Sequence, residues 1–415
     1  MKLFVGIDVS SERLDTCFLT SEMDVLIETR YPNDTHGTSD LKSKVLELNK
    51  SYAFSAIVIG MESTSMYSFH PAMFFQLDEE LQKLEAIVTI EDPHRIKQYT
   101  KMFDTDKTDP IDAFMIADYL RIQRFTNSPI KEEKYLALQR LTRARYQIVR
   151  HLVETKQHFI ENLSYKLNTL KKELRDSNGS TSVFSATLMD LITEDMTLDT
   201  MADMPLEDFA ILLQEKGRGR FKNPDKLAKT IKKSIRDSYR LGKVMEGSID
   251  IILGILVCEI RSLKEVIKDY DKAIEDLLQV IPEYQCLLNV PSIGPVYAAG
   301  LLAEIGQIER FDDQAKLAKY AGLSWKRSQS GHSESERTPL TKKGNRYFRY
   351  YLVEAANSVR RYLPEYQEFY AKKYSETPKH QHKRAIVLTA RKLVRLVGTL
   401  LRNHQLYTPP RSVRE

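Results

Sequence analysis

The sequence predicts an α/β domain, then a helical middle, then a basic and mainly helical end. Three observations carry this reading. Short apolar runs crowd the first 125 residues and give way to helical spacing by Asp109. From Leu253 to Ile281 apolar residues recur at three- and four-residue steps. Charge is split along the chain. Residues 326–415 hold 20 Lys and Arg against 7 Asp and Glu, a net of +13, while the rest carries −8.

Each element follows in order. Leu3–Val9 is an apolar run, Arg13–Thr20 follows the Ser10-Ser11 turn, and Met23–Tyr31 comes next. These three read as consecutive antiparallel strands. Asp40–Leu48 has helical spacing, Ala56–Met61 and Leu84–Ile90 read as strands, and Asp109–Arg121 as a helix. Three strands, a helix, two further strands and a later helix fit an RNase H-like domain over residues 1–130.

Residues 131–280 read as a helical coiled-coil hairpin. Leu141, Ile148, Leu152, Phe159, Leu163 and Leu170 mark one face of a long helix. Leu253, Leu256, Ile260, Leu263, Ile267, Tyr270, Ile274, Leu277 and Ile281 form a heptad seam, which demands a partner helix in this chain or in another protomer. Between them the polar stretch 177–240 reads as an insertion at the hairpin tip. Residues 281–415 open with Val290-Pro291-Ser292-Ile293-Gly294-Pro295, similar to a helix-hairpin-helix turn or equally a plain inter-helix turn. Basic helices follow at about Tyr347–Arg361 and Arg384–Arg402.

Composition narrows the class. A chain of 415 residues, 42% hydrophobic and 29% charged, supports several domains with real cores and excludes a disordered chain. Cys17, Cys258 and Cys286 are too far apart for a disulfide framework or a CxxC zinc site. Asp8 interrupts the apolar start, so no signal peptide is read. The apolar run Ile251 to Cys258 falls far short of the ~20 residues a membrane helix needs. A cytoplasmic protein without membrane partners is expected, and its basic end suggests a polyanion partner.

Two constellations carry chemistry. Asp8 ends the first strand, Glu62 follows the buried strand Ala56–Met61, and Asp109 and Asp112 stand three apart at a helix start. That step puts two carboxylates on one helix face, and Pro110 suits a first turn. Carboxylates at strand ends plus such a pair can hold two divalent cations at a phosphodiester. Each residue also has a plain alternative: Asp8 as a turn residue, Glu62 as a solvated carboxylate, Asp109 as a helix cap. Asp104, Asp106 and Asp118 are lesser candidates. The second constellation is Gln329-Ser330-Gly331 followed by Lys342-Lys343-Gly344-Asn345-Arg346-Tyr347-Phe348-Arg349. A serine beside glycine is sterically open, and Lys326, Arg327, Lys342, Lys343, Asn345, Arg346 and Arg349 are candidates to hold nucleic acid. A serine hydroxyl needs a base or a metal to become a nucleophile. His332 stands alone, so no hydrolase triad is read.

With both constellations in view, nearly the whole chain resembles the insertion sequence 110 family of transposases. The family's RuvC-like Asp-Glu-Asp-Asp quartet falls on Asp8, Glu62, Asp109 and Asp112. Its C-terminal hallmarks fall on Ala321-Gly322-Leu323, Ser330-Gly331 and Lys342 to Arg349. The chain departs in having Ser324-Trp325 where the family often has proline, and Glu334 and Glu336 beside the serine. The resemblance implies a DNA recombinase that excises and inserts its own element. It implies a Mg²⁺-dependent quartet and Ser330 as the nucleophile of a covalent phosphoserine intermediate. It implies donor and target DNA and a structured bridge RNA as partners, and a homo-oligomer, dimer or tetramer.

Rival readings remain. A RuvC-like nuclease or Holliday-junction resolvase would use the quartet with water. An actin-like ATPase would share Gly6-Ile7-Asp8-Val9-Ser10, but its second phosphate loop and adenosine loop are not found in the sequence. A non-catalytic nucleic-acid scaffold would leave the quartet idle. The tyrosines Tyr347, Tyr350, Tyr351, Tyr362, Tyr366, Tyr370 and Tyr374 lack the Arg and His pattern of a tyrosine recombinase and read as packing or stacking positions. Arg391, Lys392, Arg395 and Arg402 either contact phosphates or form a solvated face.

Overall fold

The computed structural model describes the chain except residues 64–65, 104–108, 123–130, 178–180, 326–328, 331–332, 335–339, 342 and 410–415, and except the side chains of 109–110, 194–195, 329–330 and 333–334. The chain forms two compact units. One holds residues 1–135 and 305–320, the other 136–304 and 321–415.

The first unit is built on β1 (Leu3–Val9), β2 (Arg13–Thr20) and β3 (Val25–Pro32). These run antiparallel, as the apolar runs and the Ser10-Ser11 turn predict. Asp34 caps α1 (Thr35–Tyr52) by accepting the Gly37 N–H at 2.8 Å. Then β4 (Ile57–Glu62) pairs parallel to β1. The short helices α2 (Phe69–Leu77) and α3 (Glu79–Lys83) lead to β5 (Ile87–Glu91), parallel to β4. The sheet order is β3-β2-β1-β4-β5. This mixed five-stranded sheet is consistent with the RNase H-like expectation. Next come α4 (Pro93–Thr100) and α5 (Asp109–Arg121).

Strand alternation divides the sheet's two faces. Leu3, Val5, Ile7 and Val9 face α1 and α2 with Leu41, Val45 and Phe75. Phe4, Cys17, Leu19 and Val58 face the other way, against Ile116, Ala117 and Leu120 of α5. Gly6 sits directly under that helix: a Cβ there would lie 2.3 Å from the Ala113 carbonyl oxygen and 2.3 Å from the Ala117 nitrogen. No side chain fits such backbone contact, so glycine sets how closely α5 approaches β1.

In the second unit, α6 (Glu133–Lys166) continues from the first and is followed by α7 (Leu170–Asp176), α8 (Ala186–Asp190), a π-helical turn (Leu191–Asp195), α9 (Leu198–Asp203), α10 (Leu206–Lys216) and α11 (Pro224–Asp237). Then α12 (Lys243–Leu278) runs antiparallel to α6. Side-chain contacts mark the register: the Arg145–Asp271 and Lys166–Asp250 ion pairs at 2.5 and 2.6 Å, and His151 Nε2 to Glu259 at 2.9 Å. The expected coiled-coil seam is only partly realised. Leu253, Ile260 and Leu263 are buried, but Val257 and Leu278 take the places expected for Leu256 and Leu277. The inserted helices share the same core through Leu188, Ile192, Phe209, Leu213, Ile231 and Ile235. A seam covered by several short helices has no need of the strict heptad that one partner helix imposes.

After α12 come α13 (Tyr284–Leu288) and α14 (Pro295–Ile305), with Ser292 between them in the left-handed region at φ 71°. A 3-10 turn (Ile308–Arg310) and α15 (Gln314–Tyr320) belong to the first unit. The chain then forms β6 (Gln329–Ser330) and β7 (Ser333–Glu334), followed by α16 (Arg346–Tyr362), α17 (Pro364–Ser375) and α18 (Gln381–Arg402). Among the described residues no helix is long and apolar enough to cross a membrane.

Candidate active site

Sheet register decides where the acidic residues stand. Ile7 pairs with Met61, so the next residues, Asp8 and Glu62, end adjacent parallel strands at one level. Phe4 and Gly6 lie under α5, so alternation puts Asp8 on the α5 face. Gly60, whose Cβ would meet the Leu120 side chain, puts Glu62 there too. Asp112 precedes Ala113, the residue whose carbonyl lies against Gly6. The first turn of α5, which carries Asp109 and Asp112, therefore belongs to the face that Asp8 and Glu62 share.

Two carboxylates not foreseen from the sequence join this level. Asp15 of β2 pairs with Asp8, and Glu91 of β5 pairs with Glu62. Asp15, Asp8, Glu62 and Glu91 thus form a row across four strands. The outer two are buried and engaged: Asp15 accepts from Arg30 Nε at 2.7 Å, and Glu91 accepts from the Thr89 hydroxyl at 2.8 Å. Only strand pairing reveals such a row. Asp118, the lesser candidate on α5, is buried and committed elsewhere, accepting from the Tyr99 hydroxyl at 2.5 Å and Arg121 Nε at 2.7 Å.

A set of hard carboxylate oxygens suits a hard divalent cation such as Mg²⁺. Among the described residues, no three His, Cys, Asp or Glu side chains gather closely enough to hold a metal ion. The Asp109 side chain, and Asp104 and Asp106 entirely, lie outside the described residues.

Ser330 belongs to the second unit. Its backbone pairs with Ser333, and Gln329 pairs with Glu334, so the serine lies in a short β-hairpin. The segments flanking the hairpin in sequence, its feet, meet at a Trp325–Leu340 bridge, a Thr341 N–H to Ser324 carbonyl bond of 2.9 Å, and the two hydroxyls of Ser324 and Thr341 at 3.0 Å. The Ser330 side chain, and Lys326, Arg327 and Lys342, lie outside the described residues.

The remaining candidate nucleic-acid residues divide in two. Lys343 and Arg346 are exposed. Asn345 and Arg349 are half-buried and bond inside the unit. Asn345 Oδ1 caps α16 by accepting the Tyr347 and Phe348 N–H groups at 2.9 and 3.0 Å. Arg349 donates to the Ala321 carbonyl at 3.0 Å, and burial lowers its pKa. Arg391 likewise donates to the Leu323 carbonyl at 3.3 Å, and Lys392 donates to the Glu365 carbonyl at 3.1 Å. Two guanidinium groups lie over the Tyr347 ring, Arg143 at 4.5 Å and Arg346 at 4.7 Å from its centre. Tyr351 and Tyr366 are core residues whose hydroxyl pKa values are raised, chiefly by burial.

Both constellations fall inside segments with known relatives. Residues 5–166 match the DEDD transposase family of IS110, and residues 284–371 match the "Transposase IS116/IS110/IS902 family". The chain belongs to the IS110 family of transposases. Individual relatives of this family are distant. The 44.8 kDa insertion-element IS116 protein of Streptomyces clavuligerus is 29% identical over 37% of this chain and 39% of its own length. The mini-circle protein of IS117 from Streptomyces coelicolor is 24% identical over 78% of this chain and 76% of its own. The transposase of insertion sequence element IS1111A from Coxiella burnetii is 25% identical over 27% of this chain and 30% of its own.

Proposed function

We propose that this protein is a DNA recombinase that excises and inserts its own mobile element, using the acidic quartet and Ser330, with a structured bridge RNA selecting donor and target DNA. The observation that carries the reading is the level placement of Asp8 and Glu62 at adjacent strand ends, beneath the helix that brings Asp109 and Asp112. Family membership supports the DNA chemistry. The RNA partner, the serine mechanism and a homo-oligomer, dimer or tetramer, follow from the family resemblance, as does work in the cytoplasm.

Asp8, Glu62, Asp109 and Asp112 would hold Mg²⁺. When bound, the metal supplies charge neutralisation at the scissile phosphate and favours the serine alkoxide. Ser330 Oγ gives its proton to solvent and bonds to phosphorus. The bond from phosphorus to one strand's oxygen breaks, and that oxygen takes a proton to become a free hydroxyl. The strand stays on the protein as a phosphoserine ester. Attack by a hydroxyl of the new strand reverses each step, so the bond is conserved without ATP. Exposed Lys343 and Arg346 supply backbone attraction near the hairpin.

The test uses the full chain with its element RNA, labelled donor DNA and Mg²⁺, followed by denaturing electrophoresis. A covalent protein–DNA adduct is expected, lost in Ser330→Ala and in Asp109→Asn, and lost when the metal is chelated. An adduct that survives Ser330→Ala overturns the serine assignment. Cleavage without any adduct, blocked by Asp109→Asn, would instead identify a nuclease or resolvase that uses water.

A further inference from the structure

We propose that Glu304 is a positioning residue for Ser330: its buried carboxylate, acting through Asn345, fixes the base of the hairpin that carries the serine. The inference rests on Ser330 being the nucleophile.

Glu304 lies near the end of α14 with 0% exposure. A carboxylate removed from water in this way must be paired and hydrogen-bonded. Here four donor groups from two other segments converge on it. Arg143 of α6 forks onto both oxygens, Nε to Oε1 at 2.7 Å and Nη2 to Oε2 at 2.8 Å. Gln139 Nε2 reaches Oε2 at 2.8 Å, and Asn345 Nδ2 reaches the same oxygen at 2.6 Å.

The Asn345 amide is thereby used at both ends. Its nitrogen is held by Glu304 and its oxygen caps α16. The first turn of α16 in turn grips one foot of the hairpin and follows the other closely in sequence. Asn345 follows the second foot, Leu340-Thr341, by four residues. Arg349, whose N–H bonds the Asn345 carbonyl at 3.1 Å, grips the first foot at the Ala321 carbonyl. Arg391 holds the same foot at Leu323. The described bonds therefore run from Glu304 through one side chain and one helical turn to the segments that flank Ser330 in sequence. A shift of an ångström at the cap moves the hairpin's base, and misplacement of that size can cost on the order of 10²-fold in rate.

The experiment compares Glu304→Gln, Asn345→Asp and the double variant in the full chain with RNA, DNA and Mg²⁺. Glu304→Gln loses the charge that orders Arg143 and Asn345. Asn345→Asp keeps the cap but sets two carboxylates against each other. In the double variant the Gln amide can donate to the Asp carboxylate, restoring the link with reversed polarity. Each single variant is expected to slow Ser330 adduct formation at saturating DNA by about 10- to 100-fold, with DNA affinity unchanged. The double variant is expected to recover most of that loss. Recovery of rate at constant affinity is a readout that general destabilisation does not give. Should Glu304→Gln not fold, Asn345→Ser retains a capping oxygen and removes the amide donor. Folded single variants with the parent rate, or a double variant slower than either, overturn the proposal. A parent protein that forms no adduct overturns the serine reading instead. Backbone hydrogen exchange at Ser324 and Thr341 then still decides the positioning role: faster exchange in Glu304→Gln supports it and unchanged exchange overturns it.

Discussion

The acidic row and the serine hairpin are held in place by opposite means. The row is a product of backbone pairing. Asp8, Glu62, Asp15 and Glu91 share a level because their strands are in register, and a glycine lets α5 close over them. The hairpin has only short pairing of its own and borrows its position from charged side chains, Glu304, Arg349 and Arg391. A sheet holds the side chains it carries more precisely than a loop does. Damage to the first site should therefore appear as lost folding, and damage to the second as lost rate.

The largest effect is expected at the helix–sheet contact. Gly6→Ala forces a methyl into the Ala113 and Ala117 backbone. It should cost the first unit about 3 kcal/mol, read as a lower denaturant midpoint. A variant as stable as the parent would break the contrast. A middle effect is expected at the hairpin mount. Arg349→Lys keeps charge but loses the guanidinium reach to Ala321. It should slow adduct formation about tenfold while costing only about 1 kcal/mol of stability. If the melting transition falls as far as in Gly6→Ala, the mount is part of the core after all. The smallest effect is a silent one. Burial, with Glu28 adding to it, pushes the Cys17 thiol up to about 12, while Cys258 is exposed. At pH 8 Cys17 stays protonated below its raised pKa, so iodoacetamide should label Cys258 and leave Cys17 untouched. Labelling of Cys17 in Gly6→Ala would then report opening of the sheet unit directly.

Much of the first unit is written locally. Continuous apolar runs gave β1, β2 and β4 within a residue or so, because these strands are covered on both faces. The exposed, alternating β3 began two residues later than expected, at Val25 after Met23 with φ 73°. The small helices α2, α3 and α4 were not foreseen, since each is short enough to look like linker. The insertion was read as polar. Yet Leu227, Ile231 and Ile235 of α11 recur at four-residue steps, a signal diluted by the lysines around them. Asp8 and Glu62 were legible by type and position, whereas their equal level depends on a pairing between residues far apart in the chain. The inward bonds of Asn345 and Arg349 are not legible in the sequence, because their partners, Glu304 and Ala321, are distant along the chain. Glu304 itself sits in Ala303-Glu304-Ile305, where nothing marks it out.

The shared core of α6, α12 and the inserted helices has a consequence for anyone shortening this protein. The end of α6 meets α12 at the Lys166–Asp250 ion pair, about two turns in from Lys243, so a linker from Lys166 to Lys243 need span only that distance of about 10 Å. Such a trimmed chain would leave Phe159, Leu163, Val257 and Ile260 facing water, residues now buried with the insertion's own Ile192, Phe209 and Leu213. A bare apolar stripe of that kind invites self-association. Residues 167–242 therefore act as a solubilising cover, and miniaturisation would have to repaint the stripe with polar side chains before removing it.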